Sequence, residues 1–228
     1  MSKVELGQID QLIRKFCSKD WIFLLKERAT ESNHKAKSII VHEGEKTKSI
    51  AIVKSGKVKI YCSYGKETQR IYRFATDGQI IGHRGLGANY TLPVTAFALT
   101  NTTLLNIPLP LFESLLKANP LFCYHFMLFF AKELRQSEKQ MRDLMNMDLR
   151  QRVASALKMN VDAFGFDEQD DKKLSFTISR KDIAHLASTT YESVIRTLSD
   201  FQKEKIVELP NKEIRIVDLP KLQAAIEQ

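Results

Sequence analysis

Tyr191, Glu192, Ile195 and Arg196 stand within six consecutive residues. An arginine guanidinium can donate two parallel hydrogen bonds to the O6 and N7 edge of a guanine. A glutamate can accept from the N4 of a cytosine, and an isoleucine can contact the methyl group of a thymine. On a helix the first pair lies one turn before the second, on the same side. A plainer reading competes. Glu192 is also a first-turn acid, and Glu192 with Arg196 makes an ordinary i, i+4 ion pair of a solvated helix. Other chemistry is not apparent. His34, His42, His83, His125 and His185 have no metal-ligand spacing, and the chain contains no Gly-rich phosphate loop or nucleophile motif. An enzyme is not expected.

The stretch 178–206 must position these side chains. Ser179 with Asp182 reads as a helix start, a capping hydroxyl with an acid three residues on. Ile183, Leu186 and Ala187 form its apolar stripe, and Ala187-Ser188-Thr189 breaks the pattern. Thr189 with Glu192 gives a second cap-and-acid start. Val194, Leu198 and Phe201 follow at i, i+4 and i+7, one buried face. Two short helices joined by a small-residue turn make a helix-turn-helix over about 179–203. Its second helix leaves Thr190, Tyr191, Glu192, Ile195, Arg196 and Ser199 facing out, the presentation expected of a helix that reads a major groove. Ile206–Leu209 and Glu213–Val217 flank Pro210-Asn211-Lys212 and predict a β-hairpin wing, with a last short helix opened by Asp218-Leu219-Pro220. Upstream, Asp148 caps a helix over 149–163, Gly165 ends it, and 167–173 reads as a charged loop.

The N-terminal part has a different texture. Residues 4–27 read as helical, with Val4, Leu6, Ile9, Leu12, Ile13 and Phe16 at helical spacing. Seven of the nine glycines then fall between Gly44 and Gly87, among short apolar runs at 39–41, 50–53, 58–61, 70–74 and 103–107. Such runs, bounded by turn residues, predict a sandwich or small barrel. Residues 110–116 predict a short helix, and about 120–147 a long one. On the long helix Cys123, Met127, Phe130, Leu134, Ser137, Met141 and Leu144 alternate by four and three, an a/d seam for a two-fold helix pair. A helix packed on its own domain is the alternative.

Ser179-Arg180-Lys181-Asp182-Ile183-Ala184 and Glu192-Ser193-Val194-Ile195-Arg196-Thr197-Leu198 resemble the DNA-binding motif of the CRP/FNR family of bacterial transcription regulators. Residues 52–58 and 74–82 resemble the β-roll of the cyclic-nucleotide-binding fold. Ser188 departs from the glycine usual in the turn. The resemblance implies an α+β chain: an N-terminal double-stranded β-helix (jelly-roll-like) effector domain with a dimerisation helix over 1–147, then a winged helix-turn-helix over 148–228. It implies a homodimer on a pseudo-palindromic double-stranded DNA site, with RNA polymerase as a further partner. Arg196 and Glu192 inherit the base-reading roles, Tyr191 shapes half-site preference, and Ser179, Arg180 and Lys212 are expected at phosphates. Met127, Phe130, Leu134, Ser137, Met141 and Leu144 are expected at the dimer interface.

The effector region departs from cyclic-AMP-binding relatives. Those carry Gly-Glu for the ribose and Arg-Ser or Arg-Thr for the cyclic phosphate. Here the stretches read Gly82-His83-Arg84-Gly85 and Leu92-Pro93-Val94-Thr95-Ala96, so the usual anion clamp is missing and cyclic AMP is not expected. Gly82, His83, Arg84, Thr95 and Ser137 are the pocket candidates. An iron–sulfur cluster would need several N-terminal cysteines, and Cys17 stands alone there. His83 as a haem ligand is weaker than His83 as a hydrogen-bonded pocket residue. The alternative function is a cyclic-nucleotide-type sensor whose helix-turn-helix contacts protein.

Composition agrees with these expectations. The 228 residues allow one large or two ordinary domains, and Cys17, Cys62 and Cys123 form no disulfide framework, which suits a reducing cytoplasm. No secretory signal is recognisable, and the longest apolar run, 121–131, is interrupted by His125 and is too short to span a bilayer. The net charge of +8 suggests a nucleic-acid partner. Yet residues 148–228 hold 13 Lys/Arg against 14 Asp/Glu, net −1, while 1–147 hold 22 against 13, net +9. The expected reading domain is not the basic one, so the motif carries more than the charge does.

Overall fold

The computed structural model describes residues 8–65, 68–211 and 213–227. These fall into two compact units, one drawn from Met1–Cys62 and Tyr72–Ser137, the other from Ser63–Ile71 and Glu138–Gln228.

Helices α1 (Ile9–Phe16) and α2 (Lys19–Arg28) come first. The helical stretch read over 4–27 is divided at Cys17-Ser18, where the Ser18 hydroxyl caps α2; Val4 and Leu6 lie outside the described residues. Strands β1 (Thr30–His34), β2 (Ile39–Val41), β3 (Ser49–Ser55), β4 (Val58–Tyr64), β5 (Thr68–Ala75), β6 (Ile80–Ile81), β7 (Thr95–Ala98) and β8 (Thr102–Pro108) follow. They form two four-stranded sheets, β1-β8-β3-β6 and β2-β7-β4-β5.

Strand β3 shows how the sheets are held. Its side chains alternate between two cores. Ala51 and Val53 join Val58, Ile60, Ala75, Val94, Ala96 and Leu104 between the sheets. Ile50 and Ile52 join Ile107 and the helices on the other face. A strand buried on both faces reads as a continuous apolar run, which is why 50–53 was legible as a strand. The helical layer on that outer face includes α3 (Leu109–Ala118) and the first half of α4 (Pro120–Asn146). Phe122, Phe126 and Phe129 of α4 pack there with Phe112 and Leu115 of α3.

In the second unit α5 (Leu149–Phe164) opens on a capping box. The Asp148 carboxylate accepts from Gln151 N and the Gln151 side chain accepts from Asp148 N, both at 2.8 Å. Strands β9 (Phe166–Asp167) and β10 (Asp170–Leu174) come next, so the expected charged loop at 167–173 is a hairpin. Its Asp170 pairs with Arg215, and the ladder rather than an apolar pattern holds it. Helices α6 (Arg180–Leu186) and α7 (Tyr191–Lys203), strands β11 (Val207–Glu208) and β12 (Arg215–Ile216), and α8 (Leu219–Glu227) complete the unit. The wing joins the upstream hairpin in one sheet, β11-β12-β10-β9.

Gly56, in the turn between β3 and β4, has φ +116°, and a Cβ there would lie 2.5 Å from Thr102 Oγ1 and 2.8 Å from the Asn101 carbonyl. Gly56→Ala is therefore expected to destabilise the chain by about 2 kcal/mol or more, from the backbone conformation and the clash together. Urea unfolding of the two proteins measures it, and equal midpoints would refute the close approach.

Candidate nucleic-acid interface and effector cavity

Helix α7 begins at Tyr191 because Thr190, not Thr189, is its cap: the Thr190 hydroxyl accepts from Ser193 N at 3.2 Å. Glu192 is thus a first-turn acid without being the box partner. Val194, Thr197, Leu198 and Phe201 are buried, which fixes the rotation of the helix. Tyr191 is 52% and Ile195 41% exposed, and Glu192, Arg196 and Ser199 are exposed beside them. Among the described residues no ion pair joins Glu192 to Arg196, so the solvated-pair reading lacks its contact. Both termini of that pair remain available to a ligand.

Two groups set where α7 sits. Ser188, in the turn between α6 and α7, adopts φ +47° and supplies the left-handed step with a side chain. Arg152 on α5 donates from Nε to the Ala187 carbonyl at 2.8 Å and from Nη1 to the Met147 carbonyl at 2.7 Å. One guanidinium thereby holds the turn and the segment just after α4. Buried Asn160 donates to the Phe176 carbonyl at 2.7 Å and accepts from Ile178 N at 2.9 Å, fixing the approach to α6.

The residues expected at phosphates are placed unevenly. Ser179 is the cap of α6: its hydroxyl accepts from Asp182 N at 3.0 Å and donates to the Asp182 carboxylate at 2.7 Å. Arg180 is half-buried and donates to the Glu213 carbonyl of the wing at 3.0 Å. Thr190 is exposed at the cap of α7, and Lys212 lies outside the described residues.

The expected seam on α4 is also redrawn. Met127, Leu134 and Met141 are exposed at intervals of seven, with Tyr124 and Met145 on the same side. Phe130 instead packs half-buried on Phe126 and Phe129, at ring distances of 5.1 and 6.0 Å. Ser137 and Leu144 are half-buried at the edge of the stripe.

In the roll the structure brings together Gly82, His83 and Arg84 with two residues that sequence reasoning missed, Arg73 and Glu133. Gly82 takes φ +85° and starts a short 3-10 turn, His83–Gly85. His83 is 2% exposed, with Nε2 3.4 Å from Glu133 Oε2 and its ring edge-on to Phe129 and Phe130. Arg84 donates to the same oxygen at 2.9 Å, and its guanidinium lies 5.1 Å from the centre of the Tyr72 ring. Arg73 Nε faces Glu133 Oε1 at 3.2 Å. Burial pushes the His83 pKa down to about 4 and keeps the imidazole neutral. Against its own burial, Glu133 is held well below the usual carboxylate range by its bond to His83 and by both arginines. The cavity beside these groups measures about 10 Å³, no more than one water, and is walled by Ile60, Ile81, Leu92 and Val94. Thr95 faces elsewhere: its hydroxyl accepts from Glu43 N at 3.0 Å. A signal for Glu133 was present in the sequence. Phe122, Phe126, Phe129 and Glu133 recur by four, three and four, which puts a carboxylate on the inward stripe of α4.

Comparison with known proteins gives consistent findings. Residues 31–119 match the cyclic nucleotide-binding domain family and residues 151–225 the Crp-like helix-turn-helix domain family. The chain is 26% identical over 179 residues to electron transport regulator A of Shewanella oneidensis, covering 78% of this chain and 71% of that one. It is 25% identical over 182 residues to the transcriptional activator protein anr of Pseudomonas aeruginosa, covering 78% and 73%. Among solved structures, FixK2 from Bradyrhizobium japonicum superposes with a TM-score of 0.75 at 22% identity, over 86% of this chain and 96% of that one.

His83 predicts a pH dependence. Its folded pKa of about 4 lies below the ordinary 6.5, so between those values the unfolded chain binds the extra proton. Stability is then expected to fall as pH drops through that window, by up to about 1.4 kcal/mol per pH unit from this group. Glu133, depressed in the folded state, adds a loss of the same sign once pH passes below the ordinary carboxylate range. Denaturant titrations from pH 7 to pH 4.5 should show the decline, shallower in His83→Gln; identical slopes would mean that His83 is not buried neutral.

Proposed function

Given that this chain is a DNA-binding transcription regulator of the CRP/FNR family, we propose that it acts as a homodimer reading a pseudo-palindromic site with α7 in the major groove. The observation that carries this is the exposed set Tyr191, Glu192, Ile195 and Arg196 on the first turns of α7, free of a mutual ion pair. Arg196 donates to guanine O6 and N7, Glu192 accepts from cytosine N4, and Ile195 packs on a thymine methyl. Tyr191 shapes the preference for the half-site. Thr190, Ser199 and Lys212 reach phosphates. Arg180 does so from the wing junction, and Ser179 acts there mainly as the cap of α6. Residues 1–147 form the effector-type domain with its dimerisation helix, and 148–228 the reading domain.

The exposed stripe Tyr124, Met127, Leu134, Met141 and Met145 on α4 supports pairing with a second copy. Pairing would set two recognition helices about one DNA turn apart, roughly 34–36 Å. RNA polymerase is the further partner, and the cytoplasm is the site of action. Among the described residues no helix is long and apolar enough to cross a membrane. Control is exerted by something other than cyclic AMP. The one-water cavity and the absence of an arginine before Val94 support this, and Pro93 removes a backbone donor as well.

Selection of bound duplexes from a random pool tests the reading directly. A symmetric consensus with a guanine at each Arg196 position is expected. Arg196→Ala should cost about 1–3 kcal/mol at that consensus and relax the choice at that one base pair. A mutant with unchanged preference would remove Arg196 from the interface. Leu134→Glu with Met141→Glu should yield monomers in sedimentation and weaken binding to the symmetric site by ~100-fold. An intact dimer would refute pairing through the stripe.

A further inference from the structure

The groups around the roll cavity are out of balance in charge. Two guanidiniums, Arg73 and Arg84, face one carboxylate, and the third neighbour, His83, is an imidazole shut away from water. Such a cluster is what a protein builds to hold an anion. Here the anion is already present and comes from the chain itself. We propose that Glu133 is a built-in ligand of the roll: its carboxylate occupies the cationic end of the cavity, so α4 is docked on the roll without any small-molecule anion.

This deepens the reading of residues 1–147 as an effector-type domain and rests on it. Four observations carry it. Both Glu133 oxygens are engaged, Oε1 by Arg73 at 3.2 Å and Oε2 by Arg84 at 2.9 Å. The remaining space of about 10 Å³ leaves no room for a second anion larger than water. The carboxylate is tethered, because Phe122, Phe126 and Phe129 on the same stripe of α4 are packed in the core. A tethered group competes at a high effective concentration against a free one. Finally, the groups that face Glu133 are themselves largely withdrawn from water, with Arg73 15%, Arg84 21% and His83 2% exposed. Deleting the Glu133 carboxylate would therefore leave two unneutralised cations around a hole of carboxylate size.

The test is chemical replacement of that carboxylate in the full chain without DNA. Glu133→Ala and Glu133→Gln are compared with wild type by thermal unfolding in sodium chloride, sodium acetate and sodium phosphate of matched ionic strength. Both variants are expected to melt lower than wild type in chloride. Acetate or phosphate should raise the Tm of Glu133→Ala by about 3 °C or more over chloride, because a ligand that binds only the folded state stabilises it. Wild type should not respond, since its site is filled, and neither should Glu133→Gln, whose amide fills the space. Isothermal titration with inorganic phosphate should show binding to Glu133→Ala at least about tenfold tighter than to wild type. A variant that is unfolded in chloride but folds in acetate supports the proposal. One that stays unfolded in every salt overturns it, as does a Glu133→Ala protein indifferent to the anion, or a wild type that takes up phosphate equally well. None of these outcomes touches the DNA selection, which uses wild type and reads α7 alone.

Discussion

A carboxylate cannot be taken out of water alone, and Glu133 is where the N-terminal unit meets that constraint. Removing such an ion from solvent costs several kcal/mol, and a single partner rarely offsets it. Glu133 has two arginines and an imidazole. Those groups come from different places: Arg73 from β5, His83 and Arg84 from the 3-10 turn, and Glu133 from α4. The charge can be satisfied only when strand, turn and helix stand in one arrangement. The aromatic packing beneath α4 supplies the larger favourable term through apolar burial. That burial is not directional, and a helix on a flat apolar layer can slide or rotate. The ion cluster removes this freedom because each contact is specific in distance and in direction.

The long helix carries two stripes on one periodicity. Its inward stripe runs through Phe122, Phe126, Phe129 and Glu133, and its outward stripe through Tyr124, Met127, Leu134, Met141 and Met145. Both repeat by three and four, so they lie close in register and are easily confused. Reading heptads from the sequence took members of each: Met127, Leu134 and Met141 from the outer stripe, Phe130 from the inner flank. Size decides what spacing cannot. The bulky rings fill the space above the sheet, where close packing makes volume matter. Flexible Met and Leu are left on the exposed side of the helix.

The same contrast explains which elements were legible. Strands β3, β4, β5 and β8 announced themselves because each carries apolar side chains that are buried. Strand β1, Thr30–His34, did not: it is a polar edge strand held by its ladder to β8, and such pairing leaves no apolar pattern. Strand β7 lay hidden in a stretch whose Pro93 and threonines look like loop. The hairpin of β9 and β10 was hidden by its charges. In the helix-turn-helix the apolar part of the buried face of α7 was readable, Thr197 was missed because a hydroxyl does not mark a core position, and the cap was off by one because Thr189 and Thr190 are chemically equivalent candidates. Arg73 could not be found, since nothing local to β5 says that a helix some sixty residues later will bring it a carboxylate.

Strand β3 belongs to two cores at once, and this limits how the gene can change there. Ile50 and Ile52 face the helices while Ala51 and Val53 face the interior of the roll. Inserting or deleting a single residue would turn every later side chain to the opposite side. Isoleucines would enter the cramped space between the sheets, and small residues would be left against the phenylalanine layer. Point substitutions that keep volume can be absorbed on either side separately. A change in length cannot, because it fails in both compartments together. Variation in length is thus left to segments that are not shared between two interiors.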